Sequence, residues 1–219
     1  VYPPSTSQVK LSKAQVKIMK VFSLLAFVAP IGLALGAAIP NRLVQRQSTS
    51  SQGTFEAIGH DLERFKVDLS LLQASTAAYY GPANLPAGQR IIKNLSDLAA
   101  TLEQATDDAE SYARSIHSSA QQESDSQQVV AAINSVAPYA RDTVNTLIDK
   151  RDDLEAGPFD AVFGNALILI NLRTTLDDII DLENALVDAV SFDQIANVRQ
   201  AFAPIVQDVT RAYNYYTGF

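Results

Sequence analysis

From residue 53 onward the apolar positions recur at intervals of three and four, the mark of helices that bury one face. Phe55, Ile58, Leu62, Phe65, Leu69 and Leu72 predict a first helix over about 53–76, with Glu56, Asp61, Glu63, Arg64, Lys66 and Asp68 off that seam. Tyr79-Tyr80-Gly81-Pro82, with Asn84 and Pro86, reads as a loop. A second helix is predicted over about 86–119, on Ile91, Leu95, Leu98, Leu102, Ala105, Ala109, Tyr112 and Ile116, with an acidic polar face. The polar run 118–126 reads as a turn, in which Asp125 or Ser126 caps a third helix over about 126–156. Gly157-Pro158 is punctuation, Gly ending one helix and Pro opening the next.

The fourth helix, over about 158–190, carries two apolar stripes. Phe159, Val162, Phe163, Ala166 and Ile170 form one; Leu172, Leu176, Ile179, Leu182, Leu186 and Val190 form the other. They merge around 166–170, where the helix is apolar on every side and is therefore expected at the centre of a bundle. Ser191-Phe192-Asp193 breaks the pattern, and Ile195, Val198, Phe202, Ile205, Val206, Val209, Tyr213 and Tyr216 predict a fifth helix over about 193–216. No segment alternates with period two, so no strand is predicted. The fold class is all-α, a single-domain antiparallel bundle of about five helices. Pro138 and Pro204 fall inside helical patterns and are expected to bend or split their helices. Bent helices with Ala on their seams leave two readings open: an apolar cavity, or a space filled by neighbouring side chains.

The N-terminal part has a different organisation. Met19-Lys20 precedes an apolar run from Val21 to Ala38 that ends in Gly36-Ala37-Ala38, the pattern of a secretory signal peptide over 19–38, with 1–18 as upstream sequence. A transmembrane anchor is the rival, but the run is near the minimum spanning length and carries Pro30. Residues 39–52 are expected to be a pro-segment ending at Arg46 and a polar lead-in, and 53–219 the helical domain. The expected product is secreted and extracellular, with loose association with a cell wall left open.

Residues 1–46 hold six of the 17 basic side chains and none of the 24 acidic ones, so the 173 residues after them carry a formal charge of −13. That balance argues against nucleic acid and anionic membranes as partners. The chain has no Cys, which removes thiol catalysis and thiolate metal sites. Glu56 and His60 are four apart but lack the further ligands a metal needs, and His117 has no carboxylate three or four residues before it. Asp177, Asp178, Asp181, Glu183 and Asp188 lie on a polar helix face. There is no phosphate-binding glycine loop, no nucleophile elbow and no His-Glu-x-x-His, so no enzyme and no cofactor are expected. Asn94-Leu95-Ser96 is a glycosylation sequon on the polar side of its predicted helix. Tyr79-Tyr80 and Tyr215-Tyr216 read either as helix-end packing or as the rim of a hydrophobic mouth.

The sequence Leu147-Ile148-Asp149-Lys150-Arg151, then Ala156-Gly157, an apolar helix, Leu176-Asp177-Asp178-Ile179-Ile180 and Leu186-Val187 resembles the fungal hydrophobic surface binding protein A family, which includes fungal cell wall galactomannoproteins. The likeness extends over about 52–216 in helix order and in Ala/Ser/Asp-rich character. It implies a secreted, non-enzymatic helical bundle that binds hydrophobic matter. Some members are thought to coat hydrophobic solids and recruit secreted hydrolases; others resemble carriers that hold a fatty acid inside the bundle. The chain departs from the anchored wall mannoproteins in lacking a Ser/Thr-rich stalk and an anchor signal. Partners expected on this basis are a lipid or other hydrophobic small molecule, hydrophobic surfaces and secreted hydrolases. Candidate ligand-lining residues are Leu62 and Phe65 on the first helix, Phe159, Phe163, Leu167 and Ile170 on the fourth, and Phe202 and Val206 on the fifth. Each buried methylene contributes roughly 0.8 kcal/mol, enough in sum to hold a long acyl chain.

Overall fold

The computed structural model of the protein describes residues 54–81, 84–115, 119–155 and 164–218. The expected leader and pro-segment therefore lie outside the described residues. So does the Gly157-Pro158 punctuation. Within them every regular element is helical: α1 (Phe55–Ala77), α2 (Leu85–Ala113), α3 (Ser119–Asp149), the short α4 (Arg151–Glu155), α5 (Gly164–Ala189), a 3-10 turn (Phe192–Gln194) and α6 (Ile195–Thr217). The long helices hold 23 to 31 residues and span roughly 35–46 Å each.

Local chemistry sets the ends. Thr54 has extended backbone angles and its Oγ1 accepts a 3.2 Å bond from the Ala57 N–H, a side-chain cap on α1. After α1 the chain reverses through Gly81 at φ 95°, a left-handed conformation that glycine adopts without strain. The Asn84 amide donates to the Ala78 carbonyl at 2.9 Å across this turn. Gly218, also left-handed, closes α6 with its N–H on the Asn214 carbonyl.

Two boundaries differ from the sequence reading. α2 ends at Ala113 and α3 begins at Ser119, so most of the expected turn over 118–126 is helix. Its polar side chains serve neighbouring helices. Tyr112 Oη donates to Asp125 Oδ2 at 2.7 Å, the Ser191 N–H donates to Ser126 Oγ at 2.9 Å, and Gln122 Nε2 donates to the Ala189 carbonyl at 3.1 Å. Asp125 and Ser126 are buried bridging residues and not caps. The prolines do not split their helices, since α3 runs unbroken through Pro138 and α6 through Pro204. Val136 and Ala140 flank the first and Phe202 and Ile205 the second, all buried. Burial on both sides holds each helix together against the cost of about 3 kcal/mol for an interior proline.

The five long helices are joined edge to edge in a closed ring. α1 packs between α2 and α3, α3 packs on α6, α6 on α5, and α5 on α2. Consecutive long helices alternate in direction. Spatial neighbours do not all do so: α1 and α3 run parallel, with Lys66 beside Ser135 and Leu69 beside Thr143, and α3 and α6 run parallel, with Arg141 beside Asp208 and Leu147 beside Tyr216. The α5 segment expected at the centre is one member of the ring. Its buried positions Leu172, Thr175, Ile179, Leu182 and Leu186 form a single stripe, while Ile170 and Ile180 face outward. An apolar residue two positions from the stripe is rotated about 200° from it, and that geometry overrides composition.

Candidate functional site

The space inside the ring is the candidate site. Neighbouring helices pack about 9.5 Å apart, so the centre of a regular five-membered ring lies roughly 8 Å from each axis, against roughly 7 Å in a four-helix square. Side chains or a ligand must occupy that wider middle. α1 offers Ile58, Leu62, Phe65, Leu69 and Leu72; α2 offers Leu98 and Leu102; α3 offers Ile133 and Val136. α5 adds Ile179, Leu182 and Leu186, and α6 adds Val198, Phe202 and Ile205, all in one contiguous apolar core.

Of the residues singled out from the sequence, Leu62, Phe65 and Phe202 are brought together in this core, and Val206 is half-buried against it. Ile170 is 52% exposed, on the face of α5 opposite Leu172, and is corrected to a surface residue. Phe159 and Phe163 lie outside the described residues, as does the side chain of Leu167.

One end of the ring gathers the C-termini of α1, α3 and α6, with the start of α2 beside α1, and holds the features that pattern alone missed. Each tyrosine pair divides, Tyr79 and Tyr216 buried, Tyr80 and Tyr215 exposed. Tyr216 Oη donates to the Leu147 carbonyl at 2.7 Å. Burial is the main reason the Tyr216 hydroxyl titrates above its ordinary range, with the Glu155 charge adding to it. Tyr79 is shifted upward too, first by burial and then by the charge of Asp153 on α4. Arg151 pins α4 to α6: its guanidinium lies 5.1 Å from the Tyr215 ring centre and 5.7 Å from that of Tyr216. It donates to the Tyr215 carbonyl at 2.9 Å and pairs with Glu155.

Buried polar groups tie the walls together. Thr101 Oγ1 donates to Asp68 Oδ2 at 2.6 Å, and Thr143 Oγ1 to the Leu69 carbonyl at 3.0 Å. Asn94 Nδ2, the atom that would carry a glycan, donates to the Leu71 carbonyl at 2.9 Å and to Ser75 Oγ at 3.0 Å. Thr76 is wholly buried with an Oγ1 that makes no hydrogen bond. The signal for it was present in the sequence, because 58, 62, 65, 69, 72 and 76 continue one helical seam and only the last is polar.

His60 is exposed, as are Asp177, Asp181 and Asp188, whereas Asp178 and Glu183 are half-buried and burial pushes the Glu183 carboxyl up. Among the described residues no group of three or more His, Asp or Glu is placed to hold a metal. No helix of the described residues is long and apolar enough to cross a membrane.

No family model matches the sequence, and no curated protein matches it. Several solved structures share the fold, three of them as follows. AfMP4p in complex with palmitic acid superposes with a TM-score of 0.64 at 21% identity, over 74% of this chain and 99% of that one. Ligand binding domain 2 of the Penicillium marneffei MP1 protein, complexed with multiple arachidonic acids, gives 0.61 at 14% identity, over 76% and 97%. Ligand binding domain 1 of the same protein, complexed with arachidonic acids, gives 0.53 at 14% identity, over 74% and 93%. This chain therefore has the all-helical fold of those ligand-binding domains.

Proposed function

We propose that the protein is a non-enzymatic carrier that holds a long-chain acyl lipid in the middle of the helical ring. The observation that carries this reading is that the described residues form a closed ring of five long helices with an apolar interior and place no helix along its centre. The likeness to domains solved with palmitic and arachidonic acids supports it. The hydrophobic contribution alone is sufficient in magnitude, since about ten buried methylenes give on the order of 8 kcal/mol before ordering costs. The expected setting is extracellular, after removal of a leader.

The test is native mass spectrometry of the protein purified from a secreting host, followed by titration with C16 and C20 acids. A discrete acyl adduct at fixed stoichiometry and a rise in melting temperature are expected. A mass that stays unliganded, with no thermal shift at saturating lipid, overturns the carrier reading.

A second reading, adsorption to hydrophobic surfaces with recruitment of hydrolases, is favoured by exposed apolar side chains. Val67 and Leu71 form an outward pair on α1, Tyr80 is 70% exposed and Phe192 is 91% exposed. Retention on alkyl beads that is lost in Val67→Ser/Leu71→Ser would support it.

A further inference from the structure

Thr76 occupies the last interior position of the α1 seam before the helix ends. Its side chain is 0% exposed and its hydroxyl makes no hydrogen bond. A buried helical threonine normally bonds the carbonyl one turn back. For Thr76 that carbonyl belongs to Leu72, and Ser75 Oγ already donates to it at 2.9 Å. Ser75 is fixed in turn by the Asn94 amide at 3.0 Å. The Asn94–Ser75–Leu72 chain thus takes up the local outlet and leaves the buried Thr76 hydroxyl without a hydrogen-bond partner.

The fully buried charges among the described residues are all acidic. Each of the 11 Lys and Arg side chains in 54–218 is exposed or only partly buried. The buried charged residues are Asp68, Asp125 and Asp208, and the Asp153 charge acts on Tyr79, three residues beyond Thr76. The partly buried cations at that end, Lys150 and Arg151, already pair with Asp153 and Glu155, so a carboxylate entering at Thr76 would find a hydroxyl donor and no buried counter-ion. An uncharged polar group would need none.

We propose that the Thr76 hydroxyl receives the polar end of the acyl ligand and that the site selects an uncharged end, such as the hydroxyl of a fatty alcohol or acylglycerol, over a carboxylate. The inference rests on the acyl-carrier reading and adds to it an orientation, with the polar end at the C-terminus of α1, and a preferred ligand class.

The experiment compares three C16 probes at pH 8, hexadecane, 1-hexadecanol and palmitate, on the wild type, Thr76→Val and Thr76→Ser. Hexadecanol is expected to bind the wild type about tenfold more tightly than palmitate. Thr76→Val should weaken hexadecanol about fivefold, the factor of one neutral hydrogen bond, and leave hexadecane unchanged. Thr76→Ser keeps the hydroxyl and should keep the affinity. The unliganded Thr76→Val protein should melt no lower than the wild type, since the replaced hydroxyl had no partner. Hexadecanol binding that is indifferent to Thr76→Val, or palmitate bound as tightly as hexadecanol, overturns this inference and leaves the carrier reading standing. Absence of binding by all three probes overturns the carrier reading and this inference with it.

Discussion

Asp68 accepts a 2.6 Å hydrogen bond from the Thr101 hydroxyl across the α1–α2 seam, with both residues buried. A buried carboxylate depends on such donors, so Thr101→Val should destabilise the fold by about 1–3 kcal/mol. At roughly 2–4 °C per kcal/mol for a domain of this size, the melting temperature should fall by about 3–10 °C. The double variant Asp68→Leu/Thr101→Val removes both polar partners and should recover most of the loss. Calorimetry on the two single variants and the double one gives the coupling directly, and additive losses would contradict it.

The buried tyrosines make the fold sensitive to alkali. Burial raises the hydroxyls of Tyr79, Tyr112 and Tyr216 above the ordinary value of 10.0, reinforced at Tyr112 by its bond to Asp125. Above that value the unfolded chain loses protons that the folded chain keeps. Stability is therefore fully present below about pH 10 and declines as pH rises further. Melting temperatures measured from about pH 8 to 11 should drop steeply at the alkaline end, and Tyr112→Phe should flatten the drop while lowering the plateau. An unchanged slope in that variant would exclude Tyr112 as a contributor.

Tyr216→Phe removes the 2.7 Å bond to the Leu147 carbonyl between α6 and α3. The cost should be about 1–2 kcal/mol, with the ring packing retained. Urea denaturation should show a lower midpoint at constant slope; a changed slope would mean that the folded or unfolded state itself had altered.

Arg151 holds α4 by stacking and hydrogen bonding, while Leu154 anchors the same helix in the core. Arg151→Ala should therefore leave the global melting temperature nearly unchanged and accelerate hydrogen exchange in 150–155 and at the end of α6. Uniform exchange rates in the two proteins would contradict the clip.

Asn94 is engaged between helices, so the folded protein should carry no glycan there. Peptide mapping of material from a glycosylating host should find Asn94 unmodified, and Asn94→Ala should lower stability by loss of both bonds.

Much of this architecture was legible from periodicity. The α1 seam from Ile58 to Leu72 is buried as its spacing requires, and Leu62, Phe65 and Phe202 meet in one core. The turn assigned to 118–126 failed because composition cannot tell a polar residue that faces water from one that bonds a neighbouring helix, as Asp125 and Ser126 do. The placement of α5 at the centre failed for a related reason. Ile170 makes the helix apolar all round, but position in a ring is decided by which stripe its neighbours cover. Tertiary partners also explain why Pro138 and Pro204 leave their helices whole.

The ring has a consequence for how the molecule assembles. The α1–α2 and α5–α6 seams join consecutive long helices, and such local contacts form early at little entropic cost. The seams that α3 makes with α1 and α6 are different, uniting residues 66 to 74 positions apart. The α2–α5 seam is likewise distant in sequence, so the ring closes only when these long-range seams join the two hairpins and α3, and the interior stays wet until then. A hydrophobic guest present during that interval would template the last step of folding, so that loading and final closure become one event.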